Sequence, residues 1–174
     1  MLGLRLVRLI ESHSESLSRE LVHEIRNSSR TSDFVRIPAD EMQRGALEIY
    51  RHLGEWLLQK TETDVSHRFQ TMAVRRASQG IPLHQYIWAL TLTRDHLWHF
   101  LRTEAFADTA LQLHEELELH QLLSQFFDRA IYYAVLGYEE ASNPSGGKGN
   151  LARARDLAVA IGLMSAVTPE TVGK

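Results

Sequence analysis

The sequence predicts an all-helical bundle of five to six helices with a long last helix, and three observations carry that prediction. Apolar residues recur every three or four positions over long stretches. No stretch sustains the apolar–polar alternation of a half-buried strand. The four prolines, at 38, 82, 144 and 169, all fall near the ends of such stretches.

The first helix is expected over about residues 2–28, with Leu6, Ile10, Leu17, Leu21 and Ile25 at helical spacing. The following "NSSRTSDFVRIPAD" is rich in Ser, Asn and Asp and reads as a loop. Asp40 is expected to cap the second helix, with Gln43 as its capping-box partner. Met42, Ala46, Ile49, Tyr50, Leu53, Trp56 and Leu57 make that helix's buried stripe. Thr63 or Asp64 is the expected cap of a third helix over about 64–79, whose inward face is Val65, Phe69, Met72 and Ala73.

Gly80 suits the left-handed residue that closes a helix, and Pro82 suits the first turn of the next. The fourth helix is expected over about 82–104, with Leu83, Ile87, Leu90, Leu97, Trp98 and Leu101 on one face and Arg94 in its middle. Asp108 is the expected cap of a fifth helix that runs to about 141. At 1.5 Å per residue it would span roughly 50 Å, more than a small helical domain, so part of it should protrude or pair with another chain. "SNPSGGKGN" reads as a linker. The expected organisation is thus a helical domain over 1–142, a linker over 143–150 and a short helix or tail over 151–174.

Composition narrows the function classes. The 174 residues include no cysteine, which excludes disulfides, Cys-bound metals and a Cys nucleophile. A formal net charge of -3 argues against a general nucleic-acid binder. No apolar run approaches the roughly 20 residues of a membrane span. The N-terminal "MLGLRLVRLIESHSES" lacks the pattern of a signal peptide, so a soluble cytoplasmic protein is expected.

"RRASQGIPLHQYIWALTLTRDHLW" resembles the N-terminal domain of RsbT co-antagonist proteins of the RsbR/RsbRD type, through Gly80, Ile81, Pro82, Leu83, Arg94, Leu97 and Trp98. The opening "LVRLIESHSESLSRELVHEIR", the exit before "IPADEM" and "LGEWLL" look similar to that family too, so the resemblance covers about residues 4–140. It implies a globin-like, haem-free helical sensor or interaction domain, often dimeric, that lies N-terminal to signalling modules. No such output module follows here, so the chain is expected to be either a stand-alone protein or a fragment cut at a linker.

Candidate site residues come from polar groups in apolar faces. Arg94, Arg76 and His13 all fall on stripes that should face the core, where an unpaired charge is costly. One reading is a pocket in which the arginines meet an anionic metabolite or fatty acid and His13 lines the wall. The other is a structural ion pair with an acid such as Glu20 or Glu24, or arginine side chains that reach out to the surface. Trp88 and Leu92 lie on the other side of the fourth helix, and the fifth helix carries a wide apolar band that includes Phe126 and Phe127. Either these four residues contact a second copy across a two-fold axis, or both helices are buried on two sides within one chain.

Nine histidines raise the question of a metal. Only Glu20 and His23 make a true Glu-x-x-His, and the pairs His96/His99 and His114/Glu118 lie off the apolar faces, so no metal site is expected. No histidine sits on the apolar face of the fifth helix, so no haem is expected either. Phosphate loops, nucleophile elbows and H-E-x-x-H are absent. The expectation is a non-enzymatic sensory or protein-interaction domain of bacterial signalling, a homodimer with a signalling protein partner and no cofactor. The alternatives are a small-molecule-binding helical module and a metal-binding bundle.

Overall fold

The structure is a computed structural model that describes residues 4–104 and 109–142. Within them the chain forms seven α-helices and one 3-10 helix, more pieces than the five to six expected. The expected linker over 143–150, the tail over 151–174 and the cap Asp108 lie outside the described residues.

The expected first helix is two. α1 (Leu4–Ser12) and α2 (Ser14–Asn27) meet at His13, whose φ of -103° and ψ of 11° leave the helical region. The cause lies in "SHSES": the Ser12 hydroxyl donates to Leu9 O at 2.9 Å and the Ser16 hydroxyl to His13 O at 2.9 Å, competing with the helix's own bonds. The expected loop is a 3-10 helix over Ser29–Arg36. Short local bonds build it, since Ser28 Oγ accepts from Arg30 N and Thr31 Oγ1 donates to Ile25 O. Phe34 and Ile37 sink into the core and hold it down.

The second helix also divides, into α3 (Ala39–Arg51) and α4 (Leu53–Leu58), with the break at His52. Glu11 of α1 accepts a hydrogen bond from Gly54 N at 2.9 Å and so satisfies the start of α4. The expected capping box at Asp40 and Gln43 does not form. Pro38 holds the N-cap position of α3, and Asp40 instead pairs with Arg44 at 3.2 Å. α5 (Glu62–Ser78) is capped not by Thr63 or Asp64 but by Thr61, with Asp64 as the other half of a complete capping box. Gly80, at φ 75°, closes the turn after α5 as expected.

α6 (Leu83–Glu104) buries a stripe rotated from the expected one: Gln85, Tyr86, Ala89, Leu90, Leu97 and Leu101. Gln85 turns inward because its amide exchanges two hydrogen bonds with Asp33, at 2.9 and 2.8 Å. α7 (Ala110–Ser142) has 33 residues and is capped by the preceding Thr109, which exchanges hydrogen bonds with Gln112. It packs against α1, α4, α5 and α6, and α2 and α3 close the other side of the core. At Gly137 α7 touches α5 closely: an added Cβ would lie 2.6 Å from Ala73 Cβ and 2.7 Å from Gln70 O. Among the described residues no helix is long and apolar enough to cross a membrane.

Candidate functional site

Five α-helices and the 3-10 helix border a half-open cavity of about 110 Å³. Its walls are apolar. Leu21 and Ile25 come from α2, Met42 and Ile49 from α3, and Phe69 and Met72 from α5. Ala89 and Leu90 close it from α6, and Phe126 and Phe127 close it from α7. Gly45 of α3 also lines it, and a Cβ there would meet no atom within 4 Å.

Two guanidinium groups border this cavity, and both are already engaged. Arg76 is buried, at 5% exposure, and its Nη1 donates to Glu41 Oε1 and to Gln79 Oε1, each at 2.6 Å. Gln79 and Arg75 add further bonds to the same carboxylate. Burial alone would raise the Glu41 carboxyl, but the bonds from Arg76 and Gln79 and the charges of Arg76 and Arg75 outweigh it and lower its pKa. Glu41 lies in the first turn of α3, where a negative charge also suits the helix dipole. Arg68 pairs with Glu48 and donates to Gly45 O at 3.3 Å, strapping α5 to α3.

The sequence-derived candidates do not come together. Arg76 is buried as expected, but its partner is Glu41 rather than Glu20 or Glu24. Arg94 is not a core residue, because the stripe of α6 is rotated. Its side chain is 30% exposed and its Nε lies 3.2 Å from the adjacent Asp95. His13 is exposed at the α1–α2 break, where its ring packs on Phe100 at 5.3 Å. It lines a separate polar hollow with His96, His99 and Glu20. In that hollow His96 Nδ1 lies 3.2 Å from Glu24 and Nε2 lies 3.8 Å from Glu20. Among the described residues no group of three or more His, Asp or Glu is placed to hold a metal.

Of the two readings of Trp88, Leu92, Phe126 and Phe127, the structure supports the second and places them against neighbours within the chain. Phe126 and Phe127 are core residues, at 0% and 2% exposure. Leu92 packs against the core, and the Trp88 ring is covered by the Arg30 guanidinium at 4.2 Å. At these positions both helices meet neighbours within the one chain.

The sequence reading missed Glu41, Arg68, Tyr86 and Gly45. Gly45 carried a readable signal, an isolated glycine inside a helical pattern. Glu41 carried none, since its role depends on how α3 meets α5. Three further contacts tie α7 to the rest. Tyr138, its phenol pushed by burial up to about 12, donates to Ile81 O at 2.9 Å in the Gly80–Pro82 turn. Tyr133 donates to Glu62 at 2.7 Å, and Arg129 pairs with the same carboxylate at 3.0 Å.

A family model described as the RsbT co-antagonist protein RsbRD N-terminal domain matches residues 15–147. No curated protein and no solved structure matches the chain.

Proposed function

The chain belongs to the family of RsbT co-antagonist protein RsbRD N-terminal domains, and we propose that it is a non-enzymatic sensory domain of bacterial stress signalling that passes a change in core packing along α7. The observation that carries this reading is the double position of α7. One helix supplies Phe126 and Phe127 to the cavity and is fastened at Tyr138 to the turn between α5 and α6. A helix of 33 residues, about 50 Å long, is a rigid element suited to transmit such a change.

Its output is to a signalling protein, and its working form is a homodimer in the cytoplasm. Support for self-association comes from the first turns of α7, where Leu111, Leu113 and Leu117 are 57%, 52% and 61% exposed. Leu113 and Leu117 are one turn apart and share a face. The globin-like character implied by the resemblance belongs to this same reading.

Native mass spectrometry of the untreated protein tests it. A dimer free of iron and haem, lost in Leu113→Glu/Leu117→Glu with helicity unchanged, is the expected result. A monomer at all concentrations contradicts the dimer, and a mass excess matching iron or haem contradicts the whole reading. A small-molecule-binding module is the second reading, favoured by the cavity itself.

A further inference from the structure

We propose that the central cavity is a binding site for a small, uncharged, mainly apolar molecule, with Gly45 as its threshold. The inference rests on the sensory reading for its purpose, and its geometry stands apart from it.

Size comes first. Protein interiors are close-packed, and voids larger than a water molecule are few. The half-open cavity of about 110 Å³ walled by Phe69, Met72, Leu90 and Phe126 is larger than a water molecule. Apolar cavities of roughly 150 Å³ stay dry and take up benzene or xenon, so this one suits a guest no larger than about one aromatic ring. Met42 and Met72 give its wall the adaptability of unbranched thioether side chains.

Charge comes second. Both arginines at the cavity already have carboxylate partners, and its threonine is tied to its own helix. Thr93 Oγ1 donates to Ala89 O at 2.7 Å, Arg76 holds Glu41 and Arg68 holds Glu48. Among the described residues that line the cavity, no positive charge is left over for an anionic guest. A carboxylate would have to displace Glu41 or Glu48 from its own arginine, whereas an uncharged guest displaces nothing. This decides between an anionic metabolite and a neutral molecule in favour of the neutral one.

Gly45 is the third observation. Glycine is disfavoured inside a helix, and α3 runs six residues beyond it. At Gly137 the neighbouring helix demands glycine, but at Gly45 no packing does, because a Cβ would enter open space. What the missing side chain leaves is a gap in the α3 wall, beside the Arg68 strap. A larger residue there closes the gap.

The test uses benzene as the neutral probe and hexanoate as the anionic one, on protein with ¹³C-labelled methionine methyl groups. Benzene is expected to shift the Met42 and Met72 resonances and raise the Tm, and hexanoate at the same concentration to do neither. Gly45→Leu is expected to abolish the benzene response with helicity retained. Met72→Phe, which fills the cavity from α5, is expected to do the same. No benzene shift, an equal response to hexanoate, or an undiminished response in both variants overturns the proposal. Hydrogen exchange of residues 119–138 in the same samples separates it from the sensory reading. A benzene shift with unchanged α7 exchange supports the site and contradicts the relay, while a missing shift in a protein that still dimerises overturns the site alone.

Discussion

Arg76 Nη1 lies 2.6 Å from Glu41 Oε1, joining the end of α5 to the first turn of α3 across 35 residues of sequence. The Arg76 side chain is only 6% exposed, so the pair is held away from water. Removing one partner of such a pair leaves the other charge buried and unmatched. Arg76→Leu is therefore expected to cost about 3 kcal/mol, the lower end for a broken buried pair because Arg75 still reaches Glu41. Urea unfolding measures it, and a loss no larger than that of a surface substitution contradicts the assignment.

The same pair sets an acid dependence. The folded-state pKa of Glu41 is depressed, so its contribution is fully present above the unfolded value near 4.5 and is lost as pH falls through the folded value. Asp64 is lowered in the same direction by its backbone and side-chain bonds from Thr61, so it adds to the acid limb. Glu41→Gln is expected to lower stability at pH 7 and to make the loss below about pH 4.5 shallower. Urea midpoints at pH 7 and pH 3.5 for both proteins check the sign.

Two α-helical glycines, Gly137 and Gly45, have opposite surroundings and are expected to respond in opposite directions. Gly137→Ala drives a Cβ to 2.7 Å from the Gln70 carbonyl oxygen, which belongs to the backbone and has little room to yield. It should cost about 1–3 kcal/mol by overpacking. Gly45→Ala meets nothing and should gain up to about 1 kcal/mol from helix propensity. Thermal melts of the two variants against the parent protein separate them, and a shift of the same sign in both contradicts the packing described.

Arg94 is expected to be nearly neutral. Among the described residues its ion pair is with the adjacent, mostly exposed Asp95, and exposed pairs contribute little. Arg94→Leu should change stability by no more than about 0.5 kcal/mol. A larger loss in the urea midpoint would restore it to the core.

The sequence was most legible where helical spacing met a strong punctuation mark. α5, α6 and α7 are each expected within a few residues, bounded by Gly80, Pro82 and the composition of "SNPSGGKGN". The breaks at His13 and His52 are not, because they arise from serine hydroxyls that compete with the backbone and from Glu11 reaching across to Gly54. The α6 stripe was misjudged for a similar reason. Gln85 counts as polar in any periodicity, yet Asp33 satisfies its amide and lets it turn inward. Arg76 was readable as an inward charge, but its partner was not, since Glu41 sits near the middle of no apolar stripe and meets α5 only through tertiary packing. The family resemblance was legible in the turn at Gly80–Leu83 and in the helix after it, and the family match extends from residue 15 to residue 147.

The central claim is that α7 reports the state of the core. The chain has no cysteine, so Cys substitutions at the exposed Arg44 of α3 and Glu139 of α7 can carry a clean pair of spin labels. The account predicts that the label-to-label distance shifts by about 2 Å when benzene fills the cavity, the scale of helix movements in switching proteins. An unchanged distance, measured while the Met42 and Met72 resonances show the cavity filled, would contradict it.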